Sequence, residues 1–498
     1  DWNLSRSRFW GTPLPIWRNK EGTQTRCIGS VAELEAAIEE SVAKGYMKES
    51  PYKGKEVDLH RPFVDDIVLV AENGDQMFRE PDLIDVWFDS GAMPYAQWHY
   101  PFENDEIFKA NYPADFIAEG VDQTRGWFFT LHTLAVMLFD SVAFKNVIAN
   151  GLVLDKNGNK MSKRLGNAVD PFKTLKKFGP DALRWYMLSN ANPWDNLKFN
   201  KEGVVEVQRR FFGTLQNTYN FFALYANLDA FAYDAANVIP VDERPELDRW
   251  ILSKMQSLIK ETETAYENYD ITPASRAIMN FTVDQLSNWY VRLARKRFWR
   301  GDMNADKQAA YETLYECLEV IARLMSPIAP FYSDWLYQNL TSSLENKALS
   351  VHLTDWKTSN EDLINLSLEN SMQLAQDISS LVHSLRKKER LKVRQPLQKV
   401  LIPVLNEDTK ELIAHVEDLI KSEVNIKSIE YIDDTSDILV KSVKPNFALL
   451  GKRFGPKMKA VNQLIQQWGK EEIAQIEKEG QVEISIDGEA ASLKLEEV

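Results

Sequence analysis

From about residue 203 onward, apolar positions recur at spacings of three and four, over 203–228, 245–268, 272–299, 306–325 and 328–341. That period lays one apolar stripe along each segment and predicts a bundle of amphipathic helices. Pro273 falls where a first helical turn tolerates it, and Ser326-Pro327 and Ala329-Pro330 separate the last two segments, because proline inside a helix removes a hydrogen bond and clashes with the preceding turn. Before about residue 190 the texture differs. Short runs rich in Val, Ile and Phe alternate with helical stretches and Gly/Pro/Asp punctuation, the habit of an α/β domain. After about 398 it changes again: "QKVLIPVL" and "VEISIDGEAASLKLEEV" alternate like strands, the second with a turn signal at Asp487-Gly488, and predict a small α+β appendage. The expected order is α/β over 1–200, all-α over 201–397 and α+β over 398–498.

Within the α/β part, "ADFIAEGVDQTRGWFFTLH" at 114–132 starts as a buried strand, reaches Glu119-Gly120 and opens a helix with Asp122 at or near its N-cap. The run 147–154 predicts a second buried strand, followed directly by "NGNKMSKRLGN" at 157–167. Ligands of open α/β sheets sit beyond the carboxyl ends of strands. Glu119, Asp122 and Gln123 would cluster at that rim, and Gly120 would let a ligand approach the backbone. On the neighbouring loop Lys160, Lys163 and Arg164 lie between two glycines with no acid among them. Cations suit phosphates, while carboxylate and amide groups suit hydroxyls, so the set predicts a site for a phosphate-bearing ligand. A helix cap and a turn glycine would account for the first motif alone. An exposed charged hairpin would not account for charge of a single sign.

Composition narrows the picture. A chain of 498 residues with 44% hydrophobic content has room for more than one core. Cys27 and Cys317 are too few for a disulfide framework or a cysteine zinc site, and the six histidines lack ligand spacing; a reducing compartment and no protein-bound zinc are expected. The longest apolar run, 126–139, contains His132 and is shorter than the roughly 20 residues a bilayer span needs, so no membrane partner is expected. The sequence opens on Asp1 rather than methionine, which suggests a fragment or a processed product. A net charge of −14 argues against indiscriminate binding of polyanions. Local patches must then meet any nucleic acid. Arg292, Arg295, Lys296 and Arg300 recur at helical spacing with Trp289, Tyr290, Phe298 and Trp299 among them; 386–399 carries seven basic residues against Glu389 alone; and 441–459 carries six with no acid. Three such patches in an acidic chain point to RNA.

"KMSKR" at 160–164 resembles the KMSKS signature of class I aminoacyl-tRNA synthetases. Longer segments resemble the isoleucyl branch of that family: "DWNLSRSRFWGTPLPIW" at 1–17, "DVWFDSGAMPYAQWHYPF" at 85–102, "AEGVDQTRGWF" at 118–128, "NWYVRLARKRFW" at 288–299 and "VKPNFALLGKRFGPKMK" at 443–459. They stand in family order and span essentially the whole chain. The resemblance implies the second half of a class I Rossmann-like catalytic domain with its KMSKS loop, then a helical-bundle anticodon-binding domain, then an incomplete C-terminal appendage. It implies a cytoplasmic ligase that activates isoleucine with ATP and Mg²⁺ and transfers it to the 3′ end of tRNA(Ile).

By the same resemblance, Lys160 and Lys163 are the catalytic cations on the ATP phosphates, within an ATP-binding run of Lys160, Met161, Ser162, Lys163 and Arg164. Arg164 stands where the family has serine and keeps the charge positive. Glu119 would meet the amino acid's ammonium, Gly120, Asp122 and Gln123 would hold the adenylate and its ribose, and Trp87 and Trp127 would wall the side-chain pocket. Trp289, Arg292, Arg295, Lys296 and Trp299 would contact the tRNA. The family's His-x-Gly-His signature occurs nowhere in the sequence, and the editing insert that precedes "DWNLSRSRFWG" in relatives is absent. The chain is therefore expected to lack the first nucleotide-binding half, which would be a partner if the gene is split, and not to proofread. Two other readings are a non-catalytic tRNA-binding fragment and the valyl-tRNA synthetase paralogue; "WFDSG" favours the isoleucyl branch.

Overall fold

The computed structural model describes residues 2–55, 57–299, 301–404, 406–432, 443–486 and 489–498. Arg300, Lys441 and the Asp487-Gly488 turn fall outside them. By its contacts the chain divides into two compact units, Asp1–Arg210 with Ala265–Arg276, and Phe211–Thr264 with Ala277–Val498.

The first unit opens on an antiparallel sheet of β1 (Ile16–Asn19), β2 (Thr25–Cys27), β3 (Val68–Val70) and β4 (Gln76–Arg79), in the order β2-β1-β4-β3. Helix α1 (Val31–Lys44), capped by the Ser30 side chain, closes this core around Trp17, Ile38, Ile67, Leu69 and Met77. The Trp17 indole is satisfied inside it by the carbonyl of Ile67 at 2.9 Å.

Next come α2 (Val86–Ala96), β5 (Ala114–Gly120), α3 (Trp127–Phe139) and β6 (Phe144–Asn150). Strands β5 and β6 pair in parallel from Ala114↔Phe144 to Gly120↔Asn150, with α3 as the crossover that parallel strands require. Their carboxyl ends therefore lie together, as the α/β texture predicts. The expectation that both strands are buried needs correction: Phe116 is 42% and Val147 49% exposed, whereas parallel sheets are ordinarily covered on both faces. Helix α3 likewise turns Phe128, Leu131 and Leu134 inward but leaves Phe129, Met137 and Leu138 exposed.

The predicted strand 147–154 is also not continuous. It stops at Asn150, and the separate β7 (Val153–Leu154) pairs in parallel with β8 (Leu197–Lys198). At the break the Gly151 amide donates to the carbonyl of Pro193 at 2.9 Å.

Residues 265–276 join the first unit for a capping reason. Thr272 Oγ1 donates to the carbonyls of Leu188 (2.6 Å) and Ala191 (3.1 Å), and Arg276 to those of Ser189 (2.8 Å) and Asn190 (3.2 Å). These carbonyls lie at the carboxyl end of helix Pro180–Asn190, where helix geometry leaves oxygens without partners.

The predicted helices beyond 203 are present. They include α4 (Glu246–Glu267), α5 (Ile271–Asn280), which runs through π-helical Phe281–Val291 into α6 (Arg292–Trp299), and α7 (Ala305–Met325). Asp248 ties two of them together, accepting from Arg297 at 2.6 and 2.7 Å and from the Tyr290 hydroxyl at 2.7 Å. Then follow α8 (Leu366–Lys388) and a parallel pair, β9 (Leu397–Pro403) with β10 (Ile426–Ile432), connected through α9 (Glu407–His415) and α10 (Glu417–Val424). The antiparallel pair β11 (Gln481–Ile486) and β12 (Glu489–Lys494) shares a core with Leu450, Val461 and Ile476. Among the described residues no helix is long and apolar enough to cross a membrane.

Candidate functional site

The rim at the end of β5 is built differently from its sequence reading. A short 3-10 turn, Val121–Arg125, follows the strand, and α3 begins only at Trp127 with Gly126 as its N-cap, not Asp122. Gln123 does the capping: its Oε1 accepts from the Trp127 amide at 2.9 Å, and its Nε2 donates to the Asp122 carboxylate at 3.3 Å. A Cβ on Gly120 would lie 2.5 Å from Asp122 Oδ1, so the glycine makes room for that carboxylate. Glu119 and Asp122 are both exposed.

Trp87 and Trp127 do come together. The Trp127 indole donates to the Ser90 carbonyl at 3.0 Å, and a Cβ on Gly126 would lie 3.3 Å from Trp87 Cη2. The close approach of α2 and α3 depends on Gly91, whose Cβ would meet Thr130 and Leu134 at 3.0–3.1 Å. Ser90, Gly91 and Asp89 were missed in sequence, although an acid inside the apolar run "VWFDSG" was a usable signal. Desolvation, reinforced by the Asp85 charge, raises the Asp89 carboxyl above its ordinary value against a hydrogen bond with Thr12.

The cationic loop is laced at its base. Asp155 Oδ1 accepts from the amides of Asn157 (2.9 Å) and Asn159 (2.8 Å), while its Oδ2 accepts from Asn167 Nδ2 at 3.0 Å. Asn167 also donates to the Lys160 carbonyl at 3.2 Å and accepts from the Ser162 amide at 2.9 Å. The Ser162 hydroxyl oxygen accepts from the Leu165 amide at 3.1 Å. Gly158 and Gly166 take φ of 87° and 66°, in the left-handed region that glycine tolerates best. Lys160, Lys163 and Arg164 are exposed, Met161 and Ser162 half-buried, and among the described residues no carboxylate pairs with the three cations. Sequence reasoning missed Asp155, Asn167 and Lys198, whose Cε would lie 3.2 Å from a Cβ on Gly158. Lys198 arrives from some forty residues away through the β7–β8 pairing, which no local pattern announces.

The aromatic-basic stretch of the helical region splits in two. Trp289 is only 6% exposed and lies under the Arg292 guanidinium, 5.2 Å from the ring centroid. Arg292 is itself held by Glu423 of α10 and donates to the Asn288 carbonyl at 2.8 Å. This corrects the expectation of an open contact at Trp289, whose ring is packed away, whereas Arg292 stays exposed while paired with Glu423. Trp299, 52% exposed with Arg295 at 5.7 Å from its ring, and the exposed Lys296 remain available. In the basic run that begins in the last turn of α8, Arg386 is buried and donates to the carbonyls of Lys392, Gln395, Val424 and Asn425 at 2.8–3.1 Å. Lys387, Lys388, Arg390, Lys392 and Arg394 stay exposed. Further on, Arg453 is committed to Glu497 at 2.7 and 2.8 Å.

The family described as tRNA synthetases class I (I, L, M and V) matches residues 1–200, and the anticodon-binding domain of tRNA ligase matches residues 248–401. An isoleucine–tRNA ligase of Cytophaga hutchinsonii is 62% identical over 96% of this chain and 43% of the relative. Those of Bacteroides thetaiotaomicron and Thermus thermophilus are 57% and 42% identical over 100% of this chain, and over 44% and 47% of their own lengths. The chain thus spans less than half the length of these curated relatives. Among solved structures, a LeuRS of Agrobacterium radiobacter, crystallised as a ternary complex with tRNA and LeuAMS, matches with a TM-score of 0.52 at 22% identity, over 73% of this chain and 43% of that one. This last likeness is one of fold. From end to end the chain is homologous to a stretch of the isoleucine–tRNA ligases, its residues 1–200 matching the class I tRNA synthetase family and its residues 248–401 the anticodon-binding domain of tRNA ligases.

Proposed function

We propose that the protein carrying this chain is an isoleucine–tRNA ligase, with catalytic residues in 1–200, anticodon-binding residues in 201–397 and a smaller appendage in 398–498. The observation that carries this reading is local. Glu119 and Asp122 lie at the end of β5, beside the strand β6 that leads into a loop of unpaired cations.

In the first step the carboxylate of isoleucine attacks the α-phosphate of Mg²⁺-bound ATP. A new P–O bond forms as the bond to pyrophosphate breaks, and negative charge grows on the leaving group. Lys160 and Lys163, assisted by Arg164, neutralise that charge; the loop backbone around Met161 and Ser162 sets their spacing. Glu119 holds the ammonium of the amino acid, and Trp87 and Trp127 enclose its side chain. Asp122 accepts from ribose hydroxyls. Gln123, its oxygen committed to the Trp127 amide and one amide hydrogen to Asp122, offers its other amide hydrogen there, and Gly120 leaves room for Asp122. In the second step a ribose hydroxyl at the 3′ end of tRNA(Ile) attacks the adenylate carbonyl and AMP leaves. Trp299, Arg295, Lys296 and the exposed cations of 387–394 meet the RNA through stacking and phosphate contacts, with the exposed Arg292 beside them held by Glu423, while the buried Trp289 supports that surface from within.

The test is isoleucine-dependent ATP–pyrophosphate exchange by the protein at the length of its relatives. Lys163→Ala should lower kcat by about 100-fold, the scale of removing one preorganised group from developing charge. Valine should support much less exchange than isoleucine. Exchange indifferent to Lys163, or equally efficient with valine, overturns the reading. These 498 residues alone should give little exchange, because the faces of β5 and β6 stand largely open to solvent.

A further inference from the structure

The loop cations need a scaffold, since flexible lysines on an unconstrained loop would lose most of their positioning advantage. We propose that Asp155 and Asn167 are positioning residues: together they lace the two ends of the 155–167 loop and fix its backbone, so that Lys160 and Lys163 meet a polyphosphate as one set. The inference rests on the ligase reading above and adds to it residues outside the KMSKR run.

The geometry is specific. One Asp155 oxygen gathers the amides of Asn157 and Asn159, which turns the chain at the start of the loop. The other oxygen takes the Asn167 amide, which arrives from the far end of the loop at 3.0 Å. Asn167 then reaches the backbone on both sides of Met161, donating to the Lys160 carbonyl and accepting from the Ser162 amide. Its carbonyl and amide ends thus have separate, non-interchangeable partners. Hydrogen bonds from Asn167 and from the Asn159 and Asn157 amides hold the Asp155 carboxyl below the usual carboxylate range, so it stays an acceptor at neutral pH.

The experiment exploits donor–acceptor polarity. Asp155→Asn sets an amide against the Asn167 amide, and Asn167→Asp sets a carboxylate against a carboxylate; both break the pair. The double exchange Asp155→Asn/Asn167→Asp restores one donor and one acceptor across it, while the Lys160 carbonyl stays without the donor it had in Asn167. In the 498-residue chain, trypsin cleavage after Lys160, Lys163 and Arg164 should accelerate at least severalfold in each single variant and return towards the wild-type rate in the double. In the protein at its relatives' length, each single variant should lower kcat for exchange by about 10-fold or more, the scale of a small misplacement, with KM for isoleucine little changed and kcat partly recovered in the double. Unchanged cleavage in the single variants, or a double variant no better than either single, overturns the proposal. Absence of exchange in the wild-type protein would instead overturn the ligase reading, and cleavage rates would still decide whether the loop is laced.

Discussion

A Cβ built on Gly151 would sit 2.3 Å from the carbonyl oxygen of Asp195 and 2.5 Å from its carbonyl carbon, both backbone atoms. One built on Gly120 would sit 2.5 Å from a side-chain oxygen of Asp122. The distances are similar but the consequences differ, because a carboxylate can swing aside and a hydrogen-bonded backbone cannot. Gly151→Ala should destabilise the fold by about 1–3 kcal/mol, the usual cost of overpacking. Gly120→Ala should cost less than about 1 kcal/mol in stability yet displace Asp122 and lower adenylate formation. Thermal unfolding of the two variants, read beside exchange activity, checks the contrast; equal losses of Tm would show that the Asp195 segment yields as easily as a side chain. Neither constraint was legible in sequence. Gly151 lies inside the predicted strand 147–154, but the backbone that crowds it arrives forty-four residues later.

At the scale of elements, what sequence reveals is what a single element can show by itself. Helices α4 to α7 were legible because each buries a stripe whose period is written in its own residues. The interruption after β6 was not, nor the return of 265–276 to the first unit, since both depend on partners distant in sequence. The 386–399 run shows the same limit. Seven basic residues look alike in sequence, yet Arg386 is an internal clasp that joins the loop after α8 to the end of α10 through four carbonyl oxygens. A planar fork with five donors suits four acceptors spread across two segments, and a lysine ammonium does not. Arg386→Lys should therefore destabilise the second unit by about 2 kcal/mol, the scale of hydrogen bonds made by a charged donor, with faster amide exchange over 390–396. Arg390→Lys, altering an exposed cation on the same loop, should do neither. Equal stability of Arg386→Lys and wild type would show that the clasp holds nothing together.

For the whole molecule the question raised by the proposed function is how a chain of net charge −14 would bind a polyanion. Its exposed cations must act locally, because long-range repulsion is screened within about 8–10 Å at ordinary salt. The candidate site was legible in sequence as far as the rim and the loop, because the KMSKR run and the Glu119–Gln123 corner each sit within one continuous stretch. The proposed RNA-facing surface was legible only as a set of residue types, since burial and not composition separates Trp289 from Trp299. That separation is testable. Trp299→Ala should weaken tRNA binding by about 1–3 kcal/mol if a base stacks there, with thermal stability little changed. Trp289→Ala should instead lower stability by about 3–5 kcal/mol, as expected for emptying a buried aromatic site. Changing Arg295 and Lys296 together to alanine should reduce the salt slope of tRNA affinity by nearly two, about 0.9 for each phosphate that is no longer neutralised. A slope that stays unchanged would move the RNA elsewhere, with the exposed cations of 387–394 next to be tested, because cations that touch no phosphate release no counterions when the RNA binds.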